Sequence, residues 1–129
     1  MDYPQLNQSD TLVLIRMEVA GALQIWVEES QRPAVDNGTR APHLFHISFP
    51  GEIMALSNLN ASYVRTVDND TGAVFQVFKT SPFLDYVRTE TYAASTMEHP
   101  LQHFRLITEE NLIDVITLTP PHVDEITLE

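Results

Sequence analysis

The sequence contains no cysteine and only four glycines in 129 residues. The first absence excludes disulfides, thiolate nucleophiles, Cys-ligated zinc and iron–sulfur centres together. The second leaves little material for a Gly-rich phosphate loop, and neither nucleotide-fold fingerprint occurs. Basic residues are scarce as well. Seven stand against eighteen acids for a net charge of −11, Lys79 is the only lysine, and the arginines are scattered singly. A phosphate backbone is repelled by such a field, so neither nucleic acid nor an anionic membrane is an expected partner. Long uncharged apolar runs are missing too. Thr11 to Val27 is interrupted by Arg16, Glu18 and Gln24, whereas a membrane-spanning helix needs about twenty nearly uncharged residues. Met1-Asp2-Tyr3-Pro4-Gln5 shows no basic segment leading into an apolar one, so a cytoplasmic location is expected.

What is present suits an independent core. Hydrophobic residues make up 43% of the chain and charged residues 19%, and the length fits one domain over residues 1–129. Thr11–Val19 and Ala22–Glu28 alternate as strands, with Ile15, Met17 and Val19 expected on one face and Gly21 supplying the turn. A helix over Leu12–Val27 is the competing reading. Residues 30–42 carry Pro33, Asp36-Asn37-Gly38 and Pro42 and read as a loop. His43–Phe49 alternates as a strand, and Glu52–Asn60 reads as an irregular segment or short strand. Ser62–Asp68 and Ala73–Thr80 are expected to form a hairpin across Asn69-Asp70-Thr71-Gly72. Ser81-Pro82 is an N-cap followed by proline at the first helical position, which predicts a helix to about Thr96. His103–Thr108 and Leu112–Leu118 are two more strands, and the tail from His122 can add an edge strand. The expected fold is α+β: an antiparallel or mixed sheet of about six strands built from hairpins, with one main helix over 82–96 packed on it.

Known chemical signatures fit poorly. His43 and His46 lie on a strand-like segment, where a separation of three turns them to opposite faces, and Pro100 interrupts His99 and His103. No metal site and no cofactor are expected. Asp68-Asn69-Asp70-Thr71-Gly72 opens like a calcium loop, but Ala73 and Lys79 hold the sixth and twelfth positions, where glycine and an acid belong. The paired acids Glu28-Glu29, Glu109-Glu110 and Asp124-Glu125 are adjacent in sequence, which does not make the facing carboxylates of a glycosidase. There is no Gly-x-Ser-x-Gly elbow. Four Asn-x-Ser/Thr triplets, at Asn7, Asn37, Asn60 and Asn69, read as chance.

Two features stand out. Asp114 lies inside Leu112-Ile113-Asp114-Val115-Ile116; the preferred placement is an edge strand facing water, and the alternative is burial against a partner such as Arg105. Trp26 falls between Gln24 and Glu28 and is a candidate interface anchor. By analogy of size and charge, the expected function is a non-enzymatic binding module. It would be an acidic inhibitor or immunity-type protein that occludes a basic protein such as a nuclease toxin through Trp26, Glu28, Glu29, Glu109, Glu110 and Asp114. Two alternatives remain: a small enzyme with a dispersed site around His46, His103 and Asp114, and a structural subunit of a larger assembly.

Overall fold

The computed structural model describes residues 3–7, 11–29, 43–63, 73–91 and 101–126. A short helix α1 (Pro4–Asn7) precedes strands β1 (Leu12–Glu18), β2 (Leu23–Glu29), β3 (Leu44–Phe49) and β4 (Ile53–Asn60). A 3-10 turn at Ala61–Tyr63 and strand β5 (Phe75–Phe78) lead into helix α2 (Pro82–Glu90). Strands β6 (Gln102–Ile107), β7 (Asn111–Thr117) and β8 (His122–Ile126) complete the order. The strands form two antiparallel sheets, β1-β2-β3-β8 and β4-β7-β6-β5. The α+β class therefore stands, with the strands divided between two sheets of four.

The division follows from apolar alternation. Leu23, Ile25 and Val27 of β2 and Phe45, Ile47 and Phe49 of β3 fill one face of the first sheet. Phe75, Phe104, Leu106, Ile113 and Val115 fill the facing side of the second. The two sides meet directly, with the Phe49 and Phe104 rings 5.7 Å apart. Burying both inner faces against each other is the usual solution for sheets that are apolar on one side. Asn7 ties α1 to this core: its side-chain amide accepts from the Phe75 N–H at 2.9 Å and donates to the Phe75 carbonyl at 3.1 Å.

Several expectations change in detail. A bulge between Leu14 and Arg16 shifts the β1 register, so Met17 packs on the core while Ile15 and Val19 face outward. An inserted residue turns the side chains beyond it to the other face, which simple alternation cannot foresee. The helical reading of Leu12–Val27 gives way to the β1–β2 hairpin, with Gly21 at φ 79° between its strands. Glu52–Asn60 supplies a full edge strand paired with β7. The strand expected from Ser62 begins instead as a 3-10 turn, and residues 64–72 lie outside the described residues. Helix α2 ends at Glu90, with Thr91 extended as its C-cap; residues 92–96 of the expected helix lie outside the described residues.

The placement of α2 creates the site. Leu84 and Val87 form its buried stripe and pack with Leu101 and Ile116 on the outer side of the second sheet. Strand β7 lies between β4 and β6. Its inner residues enter the core between the sheets, and outward-facing Ile116 meets the helix. Leu112 through Thr117 are consequently all buried, and an acid within that run has no solvent face.

Candidate active site

Antiparallel pairing of β6 and β7 sets Arg105 opposite Asp114 and His103 opposite Ile116. His103 and Arg105 are two residues apart on β6, so their side chains share one face. That face is the one beside α2, whose N-cap is Ser81. Three local preferences thereby converge: a turn-favouring Ser-Pro that opens a helix, a polar alternation on β6, and an acid on the central strand.

The convergence is a continuous hydrogen-bonded relay. Ser81 Oγ lies 2.7 Å from His103 Nδ1. The opposite ring nitrogen, Nε2, lies 2.5 Å from Asp114 Oδ1. Arg105 Nε donates to the same carboxylate oxygen at 2.8 Å. The Leu84 N–H donates to Ser81 Oγ at 3.0 Å, as an N-cap requires. With the ring proton assigned to Nε2, every link has one donor and one acceptor: Ser81 O–H to Nδ1, and Nε2–H to Asp114.

Burial separates the roles of the members. His103 is fully buried and Asp114 is 4% exposed, whereas Ser81 is half-buried and Arg105 keeps 23% of its side chain in contact with solvent. Only the Ser81 and Arg105 ends of the relay reach the surface. Phe78 and Phe83 flank the imidazole at ring distances of 5.1 and 5.5 Å, and the Arg105 guanidinium lies 5.4 Å from the Phe78 ring centre. Burial alone pushes the Asp114 carboxyl up. Hydrogen bonds from His103 and Arg105, followed by their charges, outweigh it and hold the group below the ordinary aspartate range.

Asp114 is therefore not the water-facing edge residue that the sequence suggests; it is a central-strand carboxylate paired with Arg105. The other residues expected to bind a partner lie elsewhere. Trp26 is half-buried on the outer face of the first sheet, between the Arg16 guanidinium at 5.4 Å and the stacked His46 ring at 4.7 Å. Glu28 is on the same face, and Glu29 accepts from the His43 N–H at 3.0 Å. Glu109 and Glu110 form the exposed β6–β7 turn, where the Glu109 N–H donates to the Leu12 carbonyl at 2.8 Å. Because Leu12 pairs with Glu29, Glu29 and Glu109 share one end of the sandwich. His46 faces Asp124 across β3 and β8 and bonds to Gln24 at 2.9 Å; it is no part of the relay.

The relay corrects the expectation of a non-enzymatic inhibitor or immunity protein, and with it the tilt away from catalysis. A hydroxyl, an imidazole and a carboxylate in series are the parts of a nucleophile, a general base and the group that orients the base. Among the residues set out as a dispersed site, His103 and Asp114 come together. Ser81, read from sequence only as a helix cap, supplies the missing hydroxyl. Its link to His103 spans 22 positions and leaves no local sequence signal. No group of three or more histidine and acidic residues able to hold a metal occurs among the described residues. No helix among them is long and apolar enough to cross a membrane. Comparisons with protein-family models, curated proteins and solved structures give no match to this chain.

Proposed function

We propose that the protein is a small serine-dependent acyl-transfer enzyme, an esterase-type hydrolase, with Ser81 as nucleophile, His103 as general base and Asp114 as the carboxylate that orients it. The observation that carries this reading is the unbroken order Ser81–His103–Asp114, with a half-buried serine at its open end and its other members buried. A serine hydroxyl is a weak nucleophile until a neighbouring base accepts its proton, and here that base is held at 2.7 Å.

In the first half-reaction, Ser81 Oγ attacks the ester carbonyl carbon and its proton passes to His103 Nδ1. The carbonyl oxygen becomes the oxyanion of a tetrahedral intermediate. Pro82, at the first position of α2, has no N–H, and the Leu84 N–H is already given to Ser81 Oγ. The Phe83 N–H is left without a partner among the described residues, at the positive end of α2. It is the donor for the oxyanion. Collapse breaks the ester C–O bond, and the leaving alkoxide takes the proton from His103. Water then attacks the acyl–Ser81 ester, His103 accepting and returning the proton again, and the acid is released. Asp114 stabilises the transient imidazolium, and Arg105 keeps Asp114 ionised.

Complete burial of His103 restricts the chemistry. The leaving oxygen must come beside Ser81 to reach Nδ1, which lies 2.7 Å from Ser81 Oγ. A cytoplasmic setting belongs to the same proposal, since a chain without cysteine has no disulfide for a reducing compartment to break. Incubation with a fluorophosphonate, which phosphonylates activated serines, is expected to label Ser81 and to require His103. Mapping by peptide mass spectrometry reads the result. A wild-type protein that stays unlabelled, or is labelled equally in His103→Gln, would overturn the reading.

A further inference from the structure

The far end of the relay carries a group that the acyl-transfer steps use only indirectly. Arg105 Nε is tied to Asp114 at 2.8 Å, which fixes one edge of the guanidinium, and its central carbon lies over the Phe78 ring at 5.4 Å from the ring centre. Its Nη groups have no acceptor among the described residues. The side chain is nevertheless 23% exposed, so this edge is not sealed inside the fold. A guanidinium anchored through Nε, with open Nη hydrogens, is the fork that binds a carboxylate by two parallel hydrogen bonds.

We infer that Arg105 sets the substrate class of the site, and that the acyl group transferred to Ser81 carries a carboxylate at the end of a short chain. This rests on the acyl-transfer reading. The Phe78 ring provides the geometric link, because it is 5.1 Å from the His103 ring and 5.4 Å from the Arg105 guanidinium. One aromatic side chain thus bridges the middle of the relay and the cation. A substrate whose carbonyl is at Ser81 and whose chain runs past Phe78 ends at Arg105.

The alternative, that Arg105 serves only to hold Asp114, uses one hydrogen bond of the guanidinium and leaves the open edge without a function. The chain's charge of −11 disfavours any anion at a distance. Asp114 also offsets the Arg105 charge. Selection is therefore local and directional, made by the two hydrogen bonds of the fork rather than by a broad positive field.

Hydrolysis of mono-4-nitrophenyl glutarate and 4-nitrophenyl butyrate by the full chain tests this. The wild type is expected to favour the glutarate monoester by about tenfold in kcat/KM, the scale of one charge-assisted contact. Arg105→Gln loosens Asp114 and slows both esters, but the preference is expected to collapse to about one. Arg105→Lys, which keeps the charge without the fork, is expected to fall between them and replaces Gln should that variant not fold. Lys79→Ala, removing an exposed cation close to Ser81 in sequence, is expected to keep the preference. A wild type without preference, a preference that survives the loss of Arg105, or one that follows Lys79 overturns the substrate inference alone. Failure to hydrolyse either ester, together with no adduct on Ser81, overturns the acyl-transfer reading beneath it.

Discussion

Ser81→Asn is expected to lower kcat/KM for an activated ester by about 10³-fold or more while leaving folding stability within about 1 kcal/mol. The separation arises because Ser81 does two things. As the cap of α2 it accepts from the Leu84 N–H, and as the end of the relay it faces His103 Nδ1. Asparagine is as good an N-cap as serine but has no hydroxyl to acylate. Ser81→Ala is less informative, since it removes the cap, at a cost of about 1 kcal/mol, and also leaves the buried His103 Nδ1 without its donor. His103→Gln is expected to remove about 10²–10⁴-fold of rate as the general base is lost. It should also destabilise, because Asp114 loses one of its two partners in a site that is almost dry. Hydrolysis assays beside urea unfolding of the same preparations check the pattern. A Ser81→Asn variant of wild-type activity would show that the hydroxyl only caps the helix.

The second large effect is on stability. Asp114→Ala is expected to cost about 3–5 kcal/mol, the usual consequence of removing one partner from a buried charge pair. Asp114→Asn should cost less, because its carbonyl oxygen still accepts from Arg105 or His103. The pH dependence follows from the direction of the shift. In the folded protein the carboxyl is held below its ordinary value, so the unfolded chain binds that proton more readily. The stabilisation from Asp114 is therefore complete above the ordinary aspartate value of about 3.9 and drains away as pH falls through the lower folded value. Unfolding curves for wild type and Asp114→Asn should converge as pH drops from 5 toward 2 and run parallel above about pH 5. Subtracting the two sets removes the contribution of the other acids. A constant difference down to pH 2 would mean that Asp114 gains nothing from its partners.

Much of the fold is written in local pattern, and most of the site is not. The alternation in β2 and β3, the Gly21 turn and the Ser81-Pro82 helix start each depend on residues a few positions apart. Sequence reads such short-range dependence well. The bulge at Ile15 was invisible because it depends on how β1 pairs with β2. Asp114 shows a different kind of gap. A continuous apolar run around an acid is the pattern of a strand covered on both sides, whereas the rarity of buried acids points to an edge placement. The structure follows the run, with Leu112–Thr117 all buried. His103 and Arg105 alternate with Phe104 and Leu106 as a solvent face would. Nothing local in β6 reveals that α2 packs beside that face and that Ser81 meets the imidazole. A buried relay thus has the sequence signature of an ordinary amphipathic strand, while the net charge of −11 comes mostly from other acids.

The central claim is that Ser81 becomes acylated during turnover through His103. The most direct measurement is peptide mass spectrometry of protein quenched in acid within the first turnovers on 4-nitrophenyl acetate, with fragmentation to locate the acetyl group. The account predicts an acetyl ester on Ser81 in the wild type that disappears in His103→Gln. An acetyl group on the exposed Lys79 amine alone, or no adduct while ester is being consumed, would contradict it.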